Sequence, residues 1–180
     1  MRRRAPPRAS ERPWSETTPE LWATAYQVNV VSAVRMIRAF VPGMRERGWG
    51  RVIQIGGGPA MQPMPVQPQH SATLAARHNL AVSPARDLKG SGVTSNVVSP
   101  GPTLVEHVRD RLLETGPAQG SGSELSEIGA KASETWAPDD IGRFGTTEEI
   151  AGAVAYLAGS FADYINGTVL RVDGGHVLAV

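Results

Sequence analysis

No cysteine occurs in this chain, which excludes a disulfide, a thiolate nucleophile and a Cys-ligated metal. Charge of either sign is nearly absent in excess: the net charge is +1, so composition gives no case for nucleic acid or an acidic surface as a partner. No apolar run reaches the ~18 residues needed to cross a bilayer, which leaves no expectation of a membrane. No apolar segment follows the early arginines, so they do not open a secretory signal. The histidines, at 70, 78, 107 and 176, lack any metal-ligand spacing, and no metal is expected. Internal repeats are missing too. With these classes set aside, the cytoplasm is the default location.

What remains is an ordinary globular composition over 180 residues, enough for one domain with a core. Residues 1–16 hold Arg2, Arg3, Arg4 and Arg8 among prolines and serines, and read as a disordered basic tail; 17–180 reads as the domain. Thr18-Pro19-Glu20 is a helix start: Thr18 caps, Pro19 fits the first helical position, and Glu20 suits the positive end of the dipole. A helix over about 19–47 follows, with Leu21, Ala25, Val28, Ser32, Met36 and Phe40 near one face. Pro42-Gly43 should bend or divide it. "RVIQI" (51–55) is a short β-branched run bounded by glycines, a buried strand. A Pro/Gln-rich loop leads to a second helix over about 70–89, which Pro84 should break near residue 83, since an interior proline costs about 3 kcal/mol.

"VTSNVV" (93–98) is a second strand, turned by Ser99-Pro100-Gly101-Pro102 into a short helix at about 103–114; 116–124 looks flexible. "TTEEIAGAVAYLAGS" (146–160) carries a capping box, Thr146 with Glu149, and an apolar stripe of Ile150, Val154, Leu157 and Ala158. "TVLRVDGG" (168–175) is a third strand. Alternating strands and helices predict an α/β fold with a parallel sheet. A ligand crevice then lies outside the carboxyl ends of the strands, at Gly56–Pro59, Ser99–Thr103 and Asp173–His176.

Four segments together carry a family likeness. "IGRFGTTEEIAGAVAYLAGSFADYINGTVLRVDGG" (141–175), "SNVVSPGPT" (95–103), "VNVVSAVRMIRAFVPGM" (28–44) and "GRVIQIGGG" (50–58) resemble, in order and spacing, the short-chain dehydrogenase/reductase family from about residue 17 to 175. The resemblance implies a doubly wound, Rossmann-like parallel sheet and an oxidoreductase using NAD or NADP. It also implies that the chain starts past the family's fourth strand. About three strands with flanking helices would then be present, and the N-terminal nucleotide-binding half would be missing.

The departures bear on activity. Nothing matches the family's TGxxxGxG turn, where glycines let the backbone approach a pyrophosphate at a helix N-terminus. Gly56-Gly57-Gly58 precedes a Pro loop and reads as a structural turn. The family uses Ser, then Tyr thirteen residues on, then Lys four further. Tyr, with a reference pKa of ~10, needs the Lys cation beside it. Aligned on "RVIQI", those positions hold Gly57, His70 and Leu74. Asn29 alone matches the fourth family residue, which supports a water or proton relay. Val105 stands where the family usually has a Thr at the nicotinamide end, and Pro100, Gly101 and Thr103 are the remnant of its cofactor contacts. A positioned general acid is worth roughly 10²–10⁴ in rate and an oxyanion donor roughly 10²–10³, so these replacements predict a chain inactive as a carbonyl reductase.

His70 has two readings: a polar residue opening a helix, or an acid/base with a reference pKa of ~6.5 that needs no Lys. His78 reads as a partly exposed helix residue, His176 as part of a terminal segment, Asp139-Asp140 as a turn cap, and Trp14, Trp22 and Trp49 as local packing. Cut off from earlier strands, "RVIQI" would be a sheet edge with apolar residues on both faces, which invites pairing. The resemblance makes the helices at about 19–47 and 70–89 a subunit interface, so a homo- or hetero-oligomer is expected. Three functions follow: a degenerate oxidoreductase, a non-catalytic partner of an intact relative, or non-redox acid–base chemistry at His70 with Asn29.

Overall fold

The computed structural model describes residues 12–117, 120–135 and 138–178. Residues 1–11, the greater part of the expected basic tail, lie outside them. Residues 12–16, expected to lack structure, instead form a 3-10 turn at Trp14–Glu16, with Pro13 bridging Val66 and the Trp14 ring 5.2 Å from that of Trp22. A few backbone bonds and one aromatic contact suffice to hold this segment against the following helix.

That helix is α1 (Pro19–Tyr26), capped as expected by the Thr18 side chain, which accepts from the Leu21 N–H at 3.5 Å. It runs through a π-helical stretch at Gln27–Val31 directly into α2 (Ser32–Glu46). Pro42 lies inside α2 and does not divide it. A proline removes one N–H, and the turns after it are held by Arg47 N donating to Gly43 O and Trp49 N donating to Met44 O. The expected apolar stripe is not a core face: Val28, Met36 and Phe40 are each more than half exposed.

Three strands, β1 (Gly50–Ile55), β2 (Val93–Pro100) and β3 (Val169–Val172), form a parallel sheet in the order β1-β2-β3. Between the first two runs α3 (Pro68–Asp87), which continues straight through Pro84. Burial overrides propensity there. Ala81, Ala85 and Leu88 are pressed into the core, and the Asn166 side chain donates to Ala85 O while accepting from Ser95 N, tying the last turn to β2. β2 is central and buried along its length but for its last residue, the near-continuous burial of a strand covered on both faces. On one face sit α3 and α2; on the other, α6 (Thr147–Ala158) closes a core of Val98, Leu157 and Ala162 with Ile53 and Leu170.

α6 begins with the expected reciprocal capping box. Among the described residues, two α-helices lie between β2 and α6. α4 (Glu106–Thr115) matches expectation, and α5 (Leu125–Thr135) is a helix that the sequence pattern did not predict. Its Ile128 packs with Leu112 and Phe144 into a second small core. Of the segment expected to be flexible, 116–124, the described part is a hydrogen-bonded turn, with Ser121 N donating to Gly116 O; residues 118 and 119 lie outside the description. Among the described residues no helix is long and apolar enough to cross a membrane, and no three His, Asp or Glu side chains gather as a metal site.

Candidate functional site

Parallel strands end together, so their three carboxyl-terminal turns converge. Gly101, after β2, donates its N–H to Val172 O at 3.0 Å, and a Cβ there would fall 2.6 Å from Asp173 Cα. Only glycine fits that approach. Thr103 Oγ1 donates to Gly101 O, and Thr103 bridges Gly145, which fixes the start of α4. Val105 is the N-cap residue of α4. Past β3, the half-buried turn at Gly174-Gly175 wraps around the Asp173 carboxylate. Its oxygens accept from Gly175 N and Val177 N, both at 3.3 Å, and lie 3.6 Å from Arg171 Nε.

Asp139 and Asp140 lace onto this turn. Asp139 Oδ1 accepts from Gly142 N, and Asp140 N donates to Gly174 O. His176 is drawn in by the same folding, with Nδ1 2.7 Å from Pro138 O and Cδ2 3.6 Å from the Cβ position of Gly58. An open cleft of about 480 Å³ lies here between Met61, Asp140, Arg171 and Val177. A larger one, of about 710 Å³, lies among Trp49, Lys89, Gly92 and Tyr164 at the amino ends of the strands, away from these turns; the strand carboxyl ends, where the remaining site residues gather, are the chemically relevant side.

Gly57 follows β1, and the geometry brings it to Leu74. A Cβ on Gly57 would stand 3.1 Å from Leu74 Cδ1 and 4.0 Å from Pro100 O. An apolar methyl therefore faces this turn. His70, one helical turn before Leu74, is half-buried. Its backbone N–H donates to Gln67 O, and its ring makes no hydrogen bond or ion pair among the described residues. Burial pushes its pKa below the ordinary 6.5, so the imidazole is neutral at pH 7. His78 is half-buried as expected, with its ring packed on Gly56 and its pKa lowered by burial as well.

Asn29 sits in the π-helical stretch, a distortion that often re-aims a side chain at a functional site. Its Nδ2 donates to Thr73 Oγ1 at 2.9 Å, and that hydroxyl donates to His70 O at 2.8 Å. Asn29 and His70 are thus joined, through the fully buried Thr73. Thr73 is absent from the sequence-based set; its place one turn after His70 on the same helix is the only signal that could have marked it.

A nicotinamide dinucleotide needs a pyrophosphate cradle at a helix N-terminus. Among the described residues none follows a strand end in that way. The Gly56–Gly58 turn leads into a 3-10 turn at Gly58–Ala60, and α3 starts only at Pro68. Pro100, Gly101 and Thr103 form a close backbone turn at the crevice, but no glycine-rich phosphate loop accompanies it. The residues present do not fit the pyrophosphate half of the cofactor.

A family model described as enoyl-(acyl carrier protein) reductase matches residues 5–176. An uncharacterized oxidoreductase of Bacillus subtilis, YvrD, is 36% identical over 163 residues, covering 90% of this chain and 61% of its own length. The mycobacterial 3-oxoacyl-[acyl-carrier-protein] reductase MabA, from Mycobacterium avium, is 33% identical over 88% of this chain and 56% of its own length. The chain thus spans about 60% of the length of the curated relatives it matches. Among solved structures, L-sorbose reductase from Gluconobacter frateurii, complexed with NADPH and L-sorbose, superposes with a TM-score of 0.84 at 28% identity, over 95% of this chain and 64% of that one. An NADPH-bound short-chain oxidoreductase from Pseudomonas aeruginosa PAO1 with an atypical catalytic center superposes at 0.79 and 28% identity, over 92% of this chain and 60% of that one. The three-stranded parallel sheet, the converging glycine turns and these matches together make the chain a member of the short-chain dehydrogenase/reductase family of oxidoreductases.

Proposed function

We propose that this chain is a catalytically degenerate short-chain dehydrogenase/reductase: an NAD(P)-dependent oxidoreductase by descent that, as these 180 residues, neither holds the dinucleotide nor reduces carbonyls. The observation that carries this is the contact between Gly57 and Leu74. Proton transfer to a carbonyl oxygen needs a group of matched pKa, held by a hydroxyl and tuned by a cation. Here the hydroxyl position has no side chain and the cation position is a hydrocarbon. His70 is neutral and unoriented, since no carboxylate fixes its tautomer.

The missing cradle supports the same reading on the binding side. Without backbone N–H groups aimed at a pyrophosphate, Pro100, Gly101 and Thr103 offer only the nicotinamide end a surface. The test is paired: quenching or anisotropy of NADPH to measure binding, and NADPH oxidation over a carbonyl panel to measure turnover. Neither signal is expected above buffer. Turnover that disappears in His70→Ala would overturn the proposal.

One observation favours a second reading. The similar Pseudomonas aeruginosa protein combines bound NADPH with an atypical catalytic center. By that precedent His70, whose backbone carbonyl is held by the Thr73–Asn29 pair while its ring stays unbonded, would serve as a neutral acid–base group in a non-standard site. It predicts a rate with one pH limb below 6.5, where imidazole protonates.

A further inference from the structure

The larger cleft, of about 710 Å³, lies at the amino ends of the strands and takes no part in the site described above. Its walls are the turns that lead into β1, β2 and β3, so it is framed on both sides by this chain's own segments. A volume of that order suits a small molecule. Three cations line it, Arg51, Arg86 and Lys89, against one carboxylate, Asp163. Arg51 and Asp163 pair with each other, and the Arg51 side chain is only 6% exposed. Arg86 and Lys89 are exposed and make no ion pair among the described residues. Asp87, next to Arg86 on α3, is turned to Arg45 at 3.7 Å.

The turn between α3 and β2 adds backbone donors. Gly90 and Gly92 have φ values of 76° and 74°. Left-handed residues within a turn gather N–H groups on one concave side, a shape that receives anions. Among the described residues, no acceptor takes the N–H of Gly90 or of Gly92. Free carbonyls at the end of α3 would repel an anion. Those of Pro84, Ala85, Arg86 and Leu88 already accept, from Leu88 N, Asn166 Nδ2, Lys89 N and Ser91 N. Deeper in the cleft, Arg51 and Thr94 stand opposite each other in the β1–β2 register. Arg51 Nε and Thr94 Oγ1 are buried with no hydrogen-bond partner among the described residues. Buried polar atoms are nearly always satisfied, so this pair points to a ligand atom.

We propose that this cleft is a binding site, separate from the strand carboxyl ends, for a phosphate monoester with an aromatic body. The phosphate lies on Arg86, Lys89 and the Gly90 and Gly92 amides. Two cations without carboxylates, joined by neutral N–H groups, match the two charges of a phosphate monoester better than the single charge of a carboxylate. The cleft is far larger than a bare phosphate needs, and the Trp49 and Tyr164 rings, both exposed, give the rest of the ligand a stacking surface.

Phenyl phosphate is the probe, titrated at low ionic strength into the isotope-labelled full chain and followed by amide chemical shifts. The expected result is saturable shifts at the Gly90 and Gly92 amides with a Kd below about 1 mM. Inorganic phosphate should bind at least about tenfold more weakly, and phenol, which has no charge, should leave both amides unmoved. The double variant Arg86→Gln with Lys89→Gln alters two exposed side chains and keeps them long and polar. It should weaken phenyl phosphate at least about tenfold with an unchanged circular dichroism spectrum. Should it fail to fold, Lys89→Gln alone should weaken binding about threefold or more. No saturation by about 10 mM phenyl phosphate, equal affinity for inorganic phosphate, binding that the variants leave unchanged, or shifts that spare both glycine amides would each overturn the proposal.

Discussion

Thr73→Val isolates the strut between the π-helical stretch and α3. Valine keeps the shape of threonine and removes the hydroxyl that accepts from Asn29 Nδ2 at 2.9 Å and donates to His70 O at 2.8 Å. Each bond has a net worth of about 0.5–1.5 kcal/mol, and Thr73 is fully buried, so water cannot replace the partner. Two lost bonds come to about 1–3 kcal/mol, and the added methyl in an apolar setting returns up to about 0.8 kcal/mol. The net loss is about 1–2 kcal/mol, or a Tm lower by about 2–8 °C for a domain of this size. Asn29→Ala removes one bond only and should cost about 0.5–1.5 kcal/mol. The decisive assay is a double-mutant cycle by urea unfolding. The two changes should couple by about 0.5–1.5 kcal/mol, because the second mutation has no shared bond left to break. Additive effects, or a neutral Thr73→Val, would refute the assignment of Asn29 to this strut and return it to the relay role that the family resemblance implies.

Gly101→Ala should destabilise the chain by about 1–3 kcal/mol, read by thermal melting, because its Cβ meets the Asp173 backbone; Gly57→Ala, which meets only the movable end of Leu74, should cost clearly less. His70 and His78 have folded pKa values below 6.5, so the unfolded chain binds more protons. Their contribution is present above pH 6.5 and lost as pH falls below it, and the double His→Gln variant should flatten urea stability between pH 5 and 7; an unchanged slope would contradict their burial. Glu149 is held down to about 2 by its bonds to the Arg143 guanidinium and Thr146 N–H. Its stabilisation is complete above about pH 4.5 and lost as pH falls toward 2, so Glu149→Gln should remove that acid limb from a pH series of melting curves.

Local signals carried far in this sequence. The Thr18 cap, the Thr146–Glu149 capping box and the three β-branched runs each depend on neighbours within a few residues, and each is where the pattern put it. The convergence of Gly57, Pro100, Gly101 and Asp173 follows from strand order alone, since parallel strands share a carboxyl end. The prolines show where local reasoning stops. Pro42 and Pro84 both lie inside continuous helices: around Pro84 buried contacts from distant segments outweigh one missing hydrogen bond, and past Pro42 the helix is resumed by its own backbone bonds, such as Arg47 N to Gly43 O. Helix α5 was not expected because it follows directly on the Gly/Ser-rich run of 116–124, although Ile128 gives it a buried face against Leu112 and Phe144.

By itself, then, the sequence determined the α/β class, the sheet elements and the family. These are facts of residue type, spacing and short-range hydrogen bonding. Only the tertiary structure decided that Leu74 closes over Gly57, that Asn29 reaches Thr73 across 44 residues of chain, that the His70 ring is half-buried with no hydrogen-bond partner among the described residues, and that Val28, Met36 and Phe40 face outward. Such contacts join segments remote in sequence, and no pattern within a few residues can report them.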